Sequence, residues 1–316
     1  MKRLLLVLLL ASLVSFPALA APLCAVCGGE IKGSYVEALG KTYHPNHFRC
    51  AACQGPIEGR FAHKDGRPYH KECYVARFSP RCEICQKPIE GAYMQDYWGD
   101  RFHPEHRSHY PFCSTCSRPI TQKSSGGFKL QDGRIVCGLC RTQGVFKQSE
   151  ADKLALEARK ILEGWGIRIP QKTIPIILVD KQQLAREGYE NATGLIRNQT
   201  RGEERTIRSI HMLYGVPRPM FLGTLVHELT HGWIFLTLPP IQRALAWEEG
   251  FCNYLSYLYY RTQGVSSADY FIRCLELDPN PVYGEGFRRV RAIAERQGSR
   301  ALVPLLKTES DFPPGY

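Results

Sequence analysis

Two histidines separated by one helical turn form the strongest chemical motif in the sequence. Residues 227–231 read His-Glu-Leu-Thr-His, so His227 and His231 stand at positions i and i+4, on one face of a helix. Imidazole nitrogens in this arrangement bind one divalent metal ion. Glu228 lies between them and can take a proton from a water at that metal, as the catalytic base. The motif is typical of hydrolytic zinc sites.

A carboxylate further along the chain completes this metal site. Seventeen residues separate His231 from Glu249, and Leu238-Pro239-Pro240 between them ends one helix and lets a second begin. Adjacent helical residues point about 100° apart, so Glu248 and Glu249 cannot both face the metal. We predict Glu249 as the third ligand, with a fourth position open. The choice rests on its i+4 neighbour Asn253, a predicted hydrogen-bond partner for a ligand histidine.

Eleven of the thirteen cysteines lie between residues 24 and 140, where they alternate with histidines in two repeats. The ligands of the first repeat are Cys24, Cys27, His44, His47, Cys50, Cys53, His70 and Cys73. Those of the second repeat are Cys82, Cys85, His103, His106, Cys113, Cys116, Cys137 and Cys140. Sixteen ligands fill four tetrahedral zinc sites, so the repeats predict four structural zinc ions rather than disulfide bonds.

Two points within the cysteine and histidine pattern stay open. His109 lies in the gap between His106 and Cys113, and we predict that His106 is the ligand and His109 an exposed loop residue. Cys252 and Cys274 lie outside the repeats, where they either stay reduced or form a disulfide.

The first twenty residues have the layout of a cleaved secretory signal. Lys2 and Arg3 precede an apolar run from Leu4 to about Val14, and Ala18-Leu19-Ala20 follows as the cleavage site. This run is too short to span a membrane comfortably, so we expect no transmembrane helix after cleavage; an uncleaved anchor is the alternative. The layout predicts a secreted or periplasmic protein.

The net charge of +11 is spread along the chain without a block of lysines and arginines. A nucleic-acid-binding protein usually concentrates such charge on one face or segment. We therefore predict no nucleic-acid partner.

The region from about residue 147 onward predicts the elements that hold the metal site. Apolar periodicity and capping signals predict helices over about 149–163, 180–188, 219–235, 242–263, 268–277, 284–297 and 300–306. They predict strands over 174–179 and 205–213, with a loop or hairpin over 190–204. We expect an α+β domain in which the 205–213 strand lies at a sheet edge and can pair with an extended substrate.

The motifs together resemble a known family. They are Leu213-Tyr214-Gly215-Val216-Pro217-Arg218, His227-Glu228-x2-His231-Gly232-Trp233 and Glu248-Glu249-Gly250, behind the paired repeats. This combination resembles the plant organ-size-regulating LIM-domain metallopeptidases and their bacterial relatives. The resemblance implies tandem LIM modules of zinc-ribbon or treble-clef type, followed by a mostly helical, gluzincin-like metallopeptidase domain with a small sheet. We predict a signal peptide at 1–20, LIM modules at 21–76 and 77–144, and a peptidase domain at 147–316.

These observations predict an exported zinc-dependent endopeptidase, with one catalytic and four structural zinc ions. Its partners would be protein or peptide substrates, recruited or positioned by LIM modules that also bind a protein partner. The alternative is a LIM-based protein-interaction adaptor with a weak or vestigial peptidase domain, and a third possibility is a zinc reservoir. The candidates for the oxyanion donor are Tyr254, Tyr257, Tyr259, Tyr260, Tyr283 and His211.

Overall fold

The computed structural model describes residues 21–316, so the predicted signal peptide lies outside the described residues. The chain divides into two compact units, one formed by residues up to 81 with 87–92 and the other by residues 82–86 with 93–316. Within the described part of the chain, no helix has the length and apolar character needed to cross a membrane.

The first unit is built from two β-hairpins, one α-helix and a short 3-10 helix (Pro45–His47). Its elements are β1 (Val36–Ala38), β2 (Lys41–Tyr43), β3 (Ala62–Lys64), β4 (Arg67–Tyr69) and α1 (Lys71–Phe78). Both hairpins are antiparallel. Tyr43, Phe48 and Tyr69 lie in a core of only six buried residues. Because so small a core buries little apolar area, bound metal must supply much of the folding free energy.

The second unit begins with a repeat of the same hairpin pattern. Its first elements are β5 (Met94–Gln95), β6 (Arg101–Phe102), α2 (His106–His109), β7 (Gly127–Lys129), β8 (Ile135–Cys137) and α3 (Gly138–Thr142). β5 pairs with β6, and β7 pairs with β8, again antiparallel. The self-similar sequence thus folds into self-similar structure.

A three-stranded sheet follows, with the order β10-β11-β9. The strands are β9 (Ile176–Val179), β10 (Gly194–Arg201) and β11 (Glu204–Leu213). β11 pairs parallel with β9 and antiparallel with β10, and the register with β10 shifts between Arg197 and Asn198, where Arg208 of β11 is left without a paired residue. The predicted strand over 205–213 is therefore present but central, and the expectation of an edge strand there is wrong. The 190–204 region, predicted as a loop or hairpin, forms a hairpin with β11 and supplies β10, one of the two edge strands.

Seven α-helices and a short 3-10 helix (Ser299–Ala301) complete the described part of this unit. They are α4 (Gln148–Gly164), α5 (Lys181–Arg186), α6 (Arg218–Thr237), α7 (Leu245–Gln263), α8 (Ser266–Leu277), α9 (Gly284–Gln297) and α10 (Leu302–Thr308). The region is mostly helical with a small sheet, as predicted. α6 and α7 form its centre, where the buried Ser256 hydroxyl on α7 donates to the carbonyl oxygen of Gly223 on α6 at 2.8 Å.

The β7–β8 turn is bonded to the segment that precedes α6. The Asp132 carboxylate accepts hydrogen bonds from the Lys181 amide at 3.1 Å and from Nε of Arg134 at 2.8 Å. The Arg134 guanidinium also donates to the carbonyl oxygen of Tyr214 at 2.7 Å, and both charged side chains are buried. The second Cys/His repeat is therefore joined to the residues that lead into the metal-site helix.

We expect Asp132→Ala to lower the free energy of unfolding by about 3 kcal/mol at pH 7, because it leaves the buried Arg134 guanidinium without its partner. Burial raises the pKa of Asp132, but the Lys181 amide and Arg134 outweigh it, so the pKa lies below its ordinary value. The stabilisation that the ionised Asp132 gives the folded state is therefore fully present above the pKa of about 3.9 that this group has in the unfolded chain. It is lost as the pH falls through the lower pKa of the folded state.

Denaturant unfolding at pH 7 and at pH 3 measures both effects. Asp152→Ala removes an exposed carboxylate on α4 and serves as the control, with an expected change within about 0.5 kcal/mol. A loss at Asp132 no larger than at Asp152, or one that does not shrink in acid, would contradict the role given to this ion pair.

Candidate metal centres

Three side chains from two helices converge in the C-terminal region. Nε2 of His227 lies 3.1 Å from Nε2 of His231, both on α6. Oε2 of Glu249 on α7 lies 3.1 Å from Nε2 of His227 and 3.3 Å from Nε2 of His231. Tetrahedral zinc with bonds of about 2.0–2.1 Å places its ligand atoms about 3.3 Å apart. The triangle of donor atoms therefore fits one zinc ion and leaves a fourth position open.

The helix pair holds these ligands because of features that are visible in the sequence. α6 ends at Thr237, next to the Leu238-Pro239-Pro240 segment, and α7 begins at Leu245. Gly250, next to Glu249, permits a close crossing of α7 with α9, since a Cβ at this position would lie 2.4 Å from the carbonyl carbon of Gly286. The crossing fixes the stretch of α7 that carries the acid.

Glu228 is buried beside this cluster. Burial raises the pKa of its carboxyl, while the neighbouring His227 and His231 oppose the shift. β10 passes directly over it, because a Cβ on Gly194 would lie 2.8 Å from Oε1 of Glu228. A carboxyl whose pKa is raised toward neutrality can both take up and deliver a proton.

The outer ring nitrogen of His231 contacts Glu248 rather than Asn253. Nδ1 of His231 lies 3.0 Å from Oε1 of Glu248. The Asn253 amide instead donates to the carbonyl oxygen of Tyr283 at 3.2 Å. The structure thus departs from the prediction for Asn253, because that side chain faces the loop before α9. When Nε2 faces a metal, Nδ1 carries the proton and donates it to the carboxylate, which orients the ring.

We expect Glu248→Ala to weaken zinc binding at this centre by about 10- to 100-fold, because the His231 ring loses the acceptor that orients it. Competition with a chelator of known affinity measures the effect on the protein. Glu163→Ala, at an exposed position on α4, is the matched control and should leave zinc affinity unchanged. Equal affinities in the two variants would show that Glu248 does not position His231.

The sixteen Cys and His residues of the repeats are brought together in four clusters. They are Cys24–Cys27–His44–His47, Cys50–Cys53–His70–Cys73, Cys82–Cys85–His103–His106 and Cys113–Cys116–Cys137–Cys140. The third cluster takes His106, whereas His109 is exposed at the end of α2. The structure thus brings together the same groups of side chains that the sequence predicts as ligands.

The distances within the clusters suit zinc rather than disulfide bonds. Nδ1 of His47 lies 3.4 Å from Sγ of Cys24, and Sγ of Cys116 lies 3.7 Å from Sγ of Cys137. Tetrahedral zinc sets such N–S and S–S pairs about 3.6 and 3.8 Å apart, whereas a disulfide bond measures about 2.05 Å. All thirteen cysteines are free of disulfides, including Cys252 and Cys274.

Backbone amides stabilise the thiolates in these clusters. The amide of His70 donates to Sγ of Cys50 at 3.4 Å, and the amide of Cys137 donates to Sγ of Cys113 at 3.3 Å. Burial raises the pKa of Cys50, but the surrounding amides outweigh it and lower the pKa to about 6. Thiolate is the form that binds metal, so the backbone is arranged for zinc binding.

The structure separates the six candidates for an oxyanion donor. Four tyrosines are buried in the helical core, and they are Tyr254, Tyr257, Tyr259 and Tyr260. His211 on β11 lies beside Glu187, with Nδ1 3.7 Å from Oε1. Tyr283 precedes α9 and is partly exposed. The partial burial of its hydroxyl raises its pKa, and the negative charge of the nearby Glu249 adds a smaller increase. Its position next to the cluster depends on the α7–α9 packing, which the sequence does not reveal.

Comparisons with known proteins match both halves of the chain. The LIM domain family matches residues 24–78 and 82–143, and the family described as Protein DA1 matches residues 182–270. The chain is 27% identical to Protein DA1 of Arabidopsis thaliana over 369 residues, which cover 92% of this chain and 68% of that protein. It is 26% identical to LIM domain-containing protein HDR3 of Oryza sativa subsp. japonica over 372 residues, or 91% and 74% of the two chains.

A third relative matches a shorter part of the chain. LIM domain-containing protein B of Dictyostelium discoideum is 38% identical over 120 residues, which cover 38% of this chain and 20% of that protein. The predicted LIM modules are thus confirmed, and the α+β class agrees with the structure.

These relatives overturn two predictions. The prediction of an exported zinc endopeptidase is wrong, because the relatives that span the chain are plant DA1 and LIM domain-containing proteins, which favour the LIM-based alternative. The prediction of a secreted or periplasmic location is wrong for the same reason, and it rested on residues 1–20, outside the described residues. The chain joins tandem zinc-binding LIM domains, which mediate protein–protein interactions, to a mostly helical C-terminal region similar to Protein DA1.

Proposed function

We propose that this chain is a LIM-based protein-interaction protein whose C-terminal region carries a fifth metal centre. The observation that carries the proposal is the set of four Cys/His clusters within the residues matched by the LIM domain family. Zinc in these clusters would hold the short hairpins rigid, and a rigid surface binds a partner with a smaller loss of conformational entropy. We propose LIM modules at 21–76 and 77–144 and a C-terminal domain at 147–316.

Site-specific photo-crosslinking in the native cells tests this function. The crosslinking residue is placed at exposed LIM positions such as Tyr35 or Phe128, or at Tyr283 beside the C-terminal centre. We expect the same partner at the LIM positions in the wild type and in Glu228→Gln, and its loss from Tyr35 in Cys50→Ser, which breaks a cluster of the first module. A partner found only at Tyr283, or one retained at Tyr35 in Cys50→Ser, would contradict the proposal.

Zinc-dependent peptide-bond hydrolysis is a second candidate function, favoured by the geometry around Glu228. The donor triangle of His227, His231 and Glu249 suits zinc, which when bound there would lower the pKa of a coordinated water and polarise a carbonyl group. Glu228 would take the proton of the attacking water and deliver it to the leaving amine. β10 borders Glu228 and is an edge strand, so an extended peptide could pair with it.

The proposed metal content is one zinc ion in each of the four LIM clusters and one at the C-terminal centre. The donor types support this assignment, because thiolate and imidazole are preferred zinc ligands and the C-terminal centre adds two imidazoles to one carboxylate.

A further inference from the structure

An open groove of about 630 Å³ lies in the second unit, where the last hairpin of the second LIM module meets the C-terminal region. Its walls include Phe128, Lys129 and Arg141 from the LIM module and Phe146 and Tyr214 from the residues that follow it. We call it the Phe128–Phe146 groove. None of its lining residues belongs to a Cys/His cluster or to the C-terminal centre.

The aromatic floor of the groove is fixed in place. The Phe146 ring lies directly on two glycines, since a Cβ would approach it to 2.5 Å at Gly144 and to 2.9 Å at Gly215. Gly215 has a φ of 72°, so a side chain at this position would be strained as well as crowded. Although it is held in this way, Phe146 remains 41% exposed. A ring that is ordered before binding loses little entropy when a partner covers it.

The charge of the groove has one sign. Lys129 and Arg141 are its charged lining side chains, and no carboxylate lines it among the described residues. The nearby Asp132 is buried in its ion pair with Arg134. The guanidinium of Arg141 lies over the Phe128 ring at 4.1 Å, and Phe128 itself is 38% exposed. Exposed aromatic rings beside cations that have no carboxylate partner within the described part of the chain suit the binding of an acidic protein segment.

The backbone on this side also suits an extended ligand. β7 lies in a two-stranded sheet with β8, and within the described residues no other strand pairs with its outer edge. An extended segment can add to such an edge through main-chain hydrogen bonds, while its side chains select the surface.

We propose that the Phe128–Phe146 groove binds an extended acidic segment of a partner protein, whose aromatic or large aliphatic side chains rest on the two phenylalanine rings. This inference rests on the LIM-based function proposed above and names the surface and the chemistry of the partner. Lys129 and Arg141 would pair with the carboxylates of the segment, and β7 would supply the main-chain contacts.

Fluorescence anisotropy of the full-length, zinc-loaded protein with two synthetic probes tests the proposal. One probe is a labelled peptide of alternating glutamate and phenylalanine or leucine, and the other has lysine in place of every glutamate. We expect the acidic probe to bind at least about tenfold more tightly, with affinity that falls as salt rises. Lys129→Glu combined with Arg141→Glu should remove that advantage.

The matched control is Arg300→Glu combined with Lys307→Glu, which makes the same charge change at exposed positions outside the groove and should leave the affinity within about twofold. Hydrogen exchange locates the contact independently, with slower exchange expected at residues 127–131. The proposal would be overturned if the two probes bound equally or if neither bound. It would also be overturned if the groove variant kept the wild-type affinity, or if the slower hydrogen exchange appeared outside residues 127–131. If one of these results occurs while a partner still crosslinks at Tyr35, the proposal for the Phe128–Phe146 groove fails and the LIM-based function stands.

Discussion

Cys137→Ser is expected to unfold the second LIM module. Cys137 ends β8, is fully buried and shares a cluster with Cys113, Cys116 and Cys140. A structural zinc ion contributes about 10 kcal/mol or more to folding, whereas a whole domain is stable by only about 5–15 kcal/mol. Losing one ligand therefore removes most of what keeps the module folded. Zinc content and thermal unfolding followed by circular dichroism measure the result.

The damage should extend beyond the module, because its hairpin is bonded to the start of the C-terminal region. Asp132 and Arg134 lie in the turn of this hairpin and contact Lys181 and Tyr214. Limited proteolysis should cut Cys137→Ser within residues 113–144 and then in the segment before α6. Cys274→Ser, at an exposed cysteine outside the clusters, is the control and should behave as the wild type does. Full zinc content and unchanged melting in Cys137→Ser would contradict the structural role of this site.

Glu228→Gln is expected to lower any zinc-dependent hydrolysis by about 10²- to 10⁴-fold, because an amide cannot accept and return the proton. The substitution keeps the size of the side chain, and His227, His231 and Glu249 remain, so zinc content should not change. Turnover of a pool of fluorogenic peptides, measured beside zinc content, separates loss of chemistry from loss of metal.

Glu163→Gln is the matched control for this experiment, because it makes the same change at an exposed position on α4. It should leave turnover at the wild-type rate. Equal turnover in the wild type and in Glu228→Gln would assign the hydrolysis to another source and remove the second candidate function. The LIM-based function does not depend on this outcome.

Local chemistry is what the sequence could predict. Each LIM cluster is built from short Cys/His pairs at fixed spacing, so the residue types and intervals contain the ligand set. The His227–His231 pair is equally local, because one helical turn places both rings on one face. Even the choice of His106 over His109 followed from spacing, and the structure places His106 in the cluster.

Tertiary placement is what the sequence could not show. β10 is an edge strand without a clear apolar alternation, so the sequence predicts only a loop or hairpin over 190–204, and the structure forms the hairpin of β10 and β11 there. The central position of β11 depends on β10, whose bounds and pairing the sequence does not define. Likewise, the contact of His231 with Glu248 instead of Asn253 is set by the crossing of α6 and α7 and by the loop before α9. Each of these placements depends on contacts between segments that are distant in the sequence, so no single segment predicts it.

The predictions of export and of an endopeptidase failed for a different reason. The first rested on the composition of residues 1–20, and the second on transferring a chemical motif directly to the role of the whole chain. Relatives that span more than nine tenths of the chain correct both. A motif defines what a centre can do chemically, whereas the use of the protein also depends on the modules around it.

The affinity of the full-length chain for the partner crosslinked at its LIM positions tests the central claim most directly. Titration calorimetry would compare the wild type with Glu228→Gln and Cys50→Ser. If zinc-held LIM modules carry the interaction, Glu228→Gln should bind within about twofold of the wild type, and Cys50→Ser should lose about 100-fold or more in affinity. Wild-type affinity in Cys50→Ser, or loss of binding in Glu228→Gln, would contradict the claim.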